Sequence, residues 1–400
     1  MNILFLTQRV PYPPNKGDKL RAFYEIKFLS KRHSIDLLCL ADDERDLLHK
    51  EALLRFCQSV DIVPHSVLSA NVRAILGLAS SKPLTQPFFY NPQLQAFVRR
   101  KLAQQRYDLI FVYCSSMAQY VERVDTIPKV IDFVDVDSEK WAQYAQVASF
   151  PKNLVYRLES QRLRKYEQRL ASTFQHGFLV SQQEVDDFQR VVCPCDLLTA
   201  LSNGVDLERF TPSSEPYNPS SLIFTGAMDY FANVETALYF AREIFPCIQQ
   251  EIPEAAFSIV GSKPAEELRR LAEQNPHIIV TGFVEQVQPY FQKAAVFVAP
   301  MRIARGIQNK ILEAMAMGVP VVTTSLGFEG IPATPGEDIL VEDQPEQFAR
   351  QVIRLMTEPA AREMVAARAR KVIETAFDWD TNLARLEHIL ERCVEQFRAR

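Results

Sequence analysis

No stretch of the 400 residues has the length or the freedom from charge that a membrane span of about 20 apolar residues needs. The opening run NILFLT meets charge at Arg9 and lacks the basic start and long apolar region of a signal peptide. Cysteine is too scattered for a disulfide framework. Seven residues, at 39, 57, 114, 193, 195, 247 and 393, form an odd set without metal spacing, which fits a reducing compartment. Cys193-Pro-Cys195 is one residue short of a thioredoxin-type pair and reads as loop. No G-x-G-x-x-G follows the first apolar run, only PYPPNKGDKLR with the single Gly17, and no Walker loop occurs. A dehydrogenase and a P-loop enzyme are therefore disfavoured. The expected location is cytoplasmic, with room for peripheral contact at the cytoplasmic face of the membrane.

What is present is a globular composition, 47% hydrophobic and 24% charged, in a chain long enough for two cores. Net charge is −4, but residues 1–203 hold 26 Lys and Arg against 22 Asp and Glu, while the remainder holds 19 against 27. A positive first half suits an anionic surface or acceptor; uneven charge on solvated helices explains it equally well. The basic, aromatic pattern at 154–169 reads first as an amphipathic helix, with an anionic lipid surface as the sharper alternative. No nucleic-acid module is recognisable.

Short apolar runs at 2–7, 35–40, 109–113, 129–134 and 177–181 read as buried parallel strands. Helical spacing at 20–32, 94–106 and 154–172 lies between them, giving a β-α-β succession. A Pro- and Ser-rich break, TPSSEPYNPS at 211–220, is followed by the same alternation: SLIFTG, helices at 233–250 and 264–274, HIIVTGF, AVFVAP, a helix at 308–317, and PVVTT. The expectation is an α/β chain of two doubly wound, Rossmann-like domains facing each other across a cleft at the carboxyl edges of their sheets. The first domain spans 1–203 and the second 204–379. The last helix, 380–398, is expected to pack back on the first.

The segment 300–318 carries the chemistry. After AVFVAP comes a loop, MRIARGIQN, and a helix whose first turn is expected to include Glu313. A strand end followed by a helix amino terminus suits anions, because free N–H groups and the helix dipole point there. Arg305 and Lys310 add positive charge for a diphosphate, while Glu313 can accept hydrogen bonds from the vicinal hydroxyls of a ribose. A charged, capped helix start is the plain alternative. In the first half, Gly17 lets backbone N–H groups approach a ligand, and Asp18, Lys19 and Arg21 stand ready for donor phosphate or acceptor. Asp135, in DFVDVDSEKW at 132–141, is chosen as the acceptor-side catalytic contact.

EAMAMGVPVVTT, LSNGVDLERFTP at 201–212, FTGAMDYFANVETALYFAREIFP at 224–246, FSIVGSKP at 257–264 and Gly282-Phe283 together resemble the carboxyl half of the retaining family-four glycosyltransferases of GT-B fold. The opening PYPPNKGDKLRAFYEIKFLSKRHSIDLLCL is similar to sugar transferases of bacterial exopolysaccharide clusters, including those with exosortase systems.

The resemblance implies a retaining, metal-independent enzyme without a cofactor. Its substrates would be a nucleotide-diphosphate sugar and a glycan or lipid-linked acceptor, with no nucleic acid involved. It places Gly226, Phe283, Gly306 and Glu313 at the donor. The family carries two acids eight positions apart; Glu313 matches the second, and Arg305 stands where the first is expected. The family's cations after the first strand of this domain are also missing, since that stretch reads GAMDYFAN. Arg305 and Lys310 are thus expected to take over the diphosphate as catalytic cations. The D-V-D triplet mimics a GT-A metal motif, but no metal is expected. A nucleotide-sugar epimerase and a catalytically inactive, nucleotide-sugar-binding partner of a transferase complex are the competing readings.

Overall fold

The computed structural model describes every residue except Asn15, Lys16, Gln105, Ser214, Arg305 and Arg400, and every remaining side chain except that of Asp18. The chain divides into two units, Met1–Ser202 with Asp380–Arg400, and Asn203–Trp379.

Among the described residues, the first unit holds seven strands. They are β1 (Asn2–Thr7), β2 (Ser34–Ala41), β3 (Ser59–Pro64), β4 (Leu109–Tyr113), β5 (Lys129–Val134), β6 (His176–Leu179) and β7 (Leu198–Ala200). Their order is β3-β2-β1-β4-β5-β6-β7, parallel throughout. β1 and β4 are continuous apolar runs because both faces of the sheet are covered by helices, and Phe5 stacks on Phe111 with centroids 4.5 Å apart. The strand order reverses between β1 and β4, the place where a doubly wound sheet opens to ligands. The edge strand β3 escaped the sequence reading because Asp61 breaks its apolar run.

The second unit holds β8 (Ser221–Thr225), β9 (Ala256–Val260), β10 (Ile278–Val280), β11 (Val296–Ala299), β12 (Val321–Thr323) and β13 (Leu340–Val341). The order is β10-β9-β8-β11-β12-β13, again parallel, with its reversal between β8 and β11. The helix expected over 233–250 is interrupted. A wider π turn at Phe240–Ile244 separates Phe231–Tyr239 from Phe245–Glu251. Pro246 has no N–H for the carbonyl four residues back, and the wider turn accommodates that.

The 211–220 break lies inside the second unit. Asn218 donates its N–H to Lys293 O at 2.9 Å, and the Arg362 guanidinium lies 3.4 Å from the Tyr217 ring centroid. The units change instead between 202 and 203. The Trp379–Arg398 helix belongs, from Asp380 on, to the first unit, through Lys31–Asp380 at 2.8 Å and Arg32–Glu387 at 2.9 Å. Among the described residues no helix is long and apolar enough to cross a membrane.

Candidate functional site

In the second unit, the ends of β8 and β11 present the residues singled out above. Gly226 follows β8, and its N–H donates to Val260 O at 3.0 Å. A Cβ on Gly261, just after β9, would lie 1.7 Å from Gly226 O, and one on Gly226 would lie 2.6 Å from Asn233 Nδ2. Both backbones therefore pass where a side chain has no room.

Asn233, in the Phe231–Tyr239 helix, donates through Nδ2 to Ala227 O at 2.9 Å, which leaves Oδ1 to accept from Lys310 Nζ. The same ammonium stands 4.9 Å from the centroid of the Phe224 ring, on β8. Lys310 thus projects from the helix after β11 to the region just beyond β8.

Lys310 lies in the first turn of the Asn309–Ala316 helix. Glu313 is its fifth residue and lies in the second turn rather than the first, because the helix begins at Asn309. Three positions apart, the two share a helix face. Both are partly exposed, yet their polar ends are deeply set. Burial pulls the Lys310 ammonium down to about 8, opposed by the charge of Glu313. Burial pushes the Glu313 carboxyl up to about 7, opposed by Arg209 and Lys310. Near pH 7 the ammonium is still mostly charged and the carboxyl only partly so, and an oppositely charged or hydrogen-bonding ligand shifts either toward its charged form.

Gly306 is buried at φ 61°, and its carbonyl accepts from Gln308 Nε2 at 3.2 Å. Phe283 is 72% exposed beyond β10, after Gly282 at φ 72°. It borders an open recess with Lys263, Arg269 and Glu273. β10 is two strands from β8, while Lys263, which also lines the recess, follows β9, the strand beside β8. Arg305 lies outside the described residues.

The first unit corrects part of the acceptor-side expectation. Gly17 begins the Gly17–Leu29 helix and is exposed, and Asp18 is the helix's second residue. Lys19 is buried, with Nζ 2.8 Å from both carboxylate oxygens of Asp46. Arg21 is 1% exposed and does not present itself to a ligand. Its Nε donates to Asp132 Oδ2 at 2.6 Å and its Nη1 to Leu201 O at 2.7 Å, while Glu25 lies 3.5 Å away. A guanidinium with no water around it needs these acceptors, and taking them leaves none of its charge facing solvent. Burial, with Asp132 adding to it, raises the Glu25 carboxyl well above the ordinary range.

The cluster shapes the end of β5. Asp132 Oδ1 accepts the Val134 N–H at 2.9 Å, Val134 sits at φ 69°, and the register with β6 shifts between Asp132 and Val134. Asp135, next in sequence, is partly exposed at that carboxyl end. Asp137 of the D-V-D triplet accepts from Lys140 Nζ and, at 3.3 Å, from Ser115 Oγ. Among the described residues, the one group whose ligating atoms approach metal-binding proximity is His33, Glu387 and Glu391, mutually within 4.8 Å. The Met1 ammonium lies 3.2 Å from His33 Nδ1 and Arg32 bonds Glu387. These contacts read as a tether for the last helix.

The sequence reading did not select Asn233, Asn203 or Arg209. Asn203 donates to Asn309 Oδ1 at 2.9 Å, at the first residue of the Lys310 helix, and Arg209 supplies the leading counter-charge at Glu313. Both occur in LSNGVDLERF, and Asn233 occurs in the cation-free stretch after β8. An amide so close behind a strand-end glycine was the available signal.

With this geometry in place, comparison with solved structures defines the class of fold. The chain superposes over its whole length on sucrose-phosphate synthase from Thermosynechococcus elongatus, with TM-score 0.75 at 17% identity and full coverage of both chains. It is also similar to Anabaena Alr3699/HepE in complex with UDP and glucose, with TM-score 0.73 at 15% identity, covering 98% of this chain and 100% of that one. The fold is that of the GT-B glycosyltransferases. Residues 219–358 match the family model for Glycosyl transferases group 1, so the second unit carries a domain of that family.

Over 94% of its length the chain is 22% identical to an "Uncharacterized 44.6 kDa protein in cps region" of Klebsiella pneumoniae, of which it covers 96%. Over 48% of its length it is 28% identical to a GDP-mannose-dependent monoacylated alpha-(1-6)-phosphatidylinositol monomannoside mannosyltransferase of Corynebacterium glutamicum. That match spans 55% of the mannosyltransferase.

Proposed function

We propose that the chain moves a sugar from a nucleotide-diphosphate donor to a glycan or lipid-linked acceptor in exopolysaccharide synthesis. Lys310 is the observation that carries this reading. Its ammonium reaches across from the β11 side to Asn233 and Phe224, into the region where the cations of similar transferases are missing from GAMDYFAN. There it neutralises the diphosphate, joined by Arg305, and Glu313 three residues on accepts the ribose hydroxyls. Gly226 and Gly306 stand on the donor side, and Asp135 serves the acceptor. Charge that grows on the departing diphosphate is met by fixed cations, so transfer needs no metal; retention at the anomeric carbon follows the resemblance. The relative from a cps region supports the polysaccharide setting, and the Anabaena structure with UDP and glucose supports the donor class.

The competing reading is a nucleotide-sugar-binding protein without turnover, favoured by the basic residue at 305 where similar transferases have an acid. A thermal-shift screen over UDP-, GDP- and ADP-sugars identifies the donor, since a ligand at a hundredfold its Kd adds about 2.7 kcal/mol. Transfer from that donor is then measured with and without EDTA. Arg305→Ala should lower turnover by about 10²–10³ and donor affinity far less, because a positioned cation acts mainly in the transition state. Arg305→Glu should be worse still. Loss of transfer in EDTA, or recovered transfer in Arg305→Glu, overturns the assignment of charge; binding without turnover across glycan and lipid-linked acceptors favours the inactive partner.

A further inference from the structure

The first unit carries a helix turned the wrong way for a globular protein. In Val67–Gly77, VLSANVRAILG, the one buried residue is Ala70. Leu68, Val72, Ile75 and Leu76 are 80%, 57%, 64% and 71% exposed. Spaced at i, i+4, i+7 and i+8, they form a single stripe of the kind a helix ordinarily presents to a core. Val67 and Leu78, at the two ends of the helix, are exposed as well.

The exposed charge near it is positive. From Ile62 to Tyr107 the sequence contains no Asp or Glu; Lys101 is buried against Asp36 and Asp61 and Arg100 pairs with Asp61, while Arg73 lies on the helix and the exposed Lys82 just after it. The helix end is clamped to the Lys152–Thr173 helix, where Arg162 donates to Gly77 O, Leu78 O and Lys82 O at 3.0–3.2 Å. That second helix buries both of its acids, Glu159 and Glu167, and exposes Lys152, Arg157, Lys165 and Arg169. Phe150, just before it, and Leu154, in its first turn, are exposed as well.

We propose that the Val67–Gly77 helix docks the first unit onto an anionic lipid surface, its apolar stripe entering the acyl boundary and the surrounding cations meeting the headgroups. A bilayer accepts aliphatic side chains without matching their shape, and its negative surface attracts a field of this sign. A second copy of the chain fits less well. A two-fold contact through this patch would bring the same exposed cations, Lys82, Arg157 and Lys165, against themselves. The proposal is independent of the transferase reading, because it concerns binding in the absence of donor.

The test is co-sedimentation of the full chain with phosphatidylcholine vesicles, with and without phosphatidylglycerol, at two salt concentrations. Binding is expected with phosphatidylglycerol, about tenfold or more weaker without it, and weaker at high salt. Leu68→Asp combined with Ile75→Asp should reduce it by a further factor of about ten or more, because two stripe residues no longer leave water. The melting temperature should hold, since neither side chain is packed. Arg157→Glu with Lys165→Glu should lower binding to anionic vesicles and leave the apolar stripe intact. Equal partition into both kinds of vesicle, or undiminished binding of the Leu68/Ile75 variant, overturns the proposal. So does light scattering that shows a dimer converted to monomer by that variant, in a chain that ignores vesicles.

Discussion

Replacing Glu313 by Gln should move stability and donor affinity in opposite directions. Burial lifts this carboxyl from 4.5 to about 7. Because the folded value lies above the unfolded one, the unfolded chain releases its proton first as pH rises. The stabilisation is therefore complete below about pH 4.5 and is lost through about pH 7, a difference of at most roughly 3 kcal/mol at about 1.4 kcal/mol per unit. Glutamine keeps the shape and removes the charge. Without ligand, the variant should melt above the parent at about pH 8, and the two should converge near pH 4. Donor binding should weaken by about 1.5–3 kcal/mol, roughly 10- to 150-fold, the range for a hydrogen bond to a charged group. Scanning calorimetry across this pH range, with titration calorimetry of the donor found by screening, reads both quantities. A variant that melts lower at pH 8 and binds donor as tightly as the parent would refute the reasoning and make Glu313 a structural residue.

Two further outcomes follow from other buried charges. Lys310 is held at about 8 in the free protein, and a diphosphate favours its charged form, so donor affinity should fall about tenfold per pH unit above pH 8. Titration calorimetry should find that slope gone in Lys310→Met, and a slope that persists would place the phosphates elsewhere. Asp132→Ala removes the nearest acid from the buried Arg21 guanidinium and should destabilise the first unit by about 3 kcal/mol in urea unfolding, whereas Lys31→Ala, which breaks an exposed pair with Asp380, should cost under about 1 kcal/mol. Similar losses in the two variants would mean that the Arg21 cluster is not the constraint described.

The central strands were legible because burial on both faces demands unbroken apolar runs, as in NILFLT and LIFVY. β3 and the two-residue β13 were not, since an edge strand tolerates Asp61 and a two-residue strand has no pattern. At the site, Lys310 and Glu313 could be read from their place behind a strand, which is a local property. Arg21 misled for the opposite reason. A cation after the first strand reads as ligand-facing until Asp132, 111 positions away, is seen to claim it. Nothing near residue 21 announces that partner. The outward stripe of Val67–Gly77 was similarly silent, because spacing shows that a helix has an apolar face and not which way the face points.

The return of the last helix has a consequence for how the protein is made. Val205 N–H donates to Phe377 O at 2.9 Å, and Gly204 lies against Trp379, so the second unit starts and finishes at one spot. It is an insertion within the first, and everything it needs has been translated by residue 379. The first unit, begun earlier, still lacks Leu383, Leu386 and Leu390, all buried, and the glutamate that Arg32 and His33 contact. During synthesis the half that starts first is thus the half that closes last. A chain truncated after residue 379 would hold a finished insert and a host whose apolar seam is still open to water.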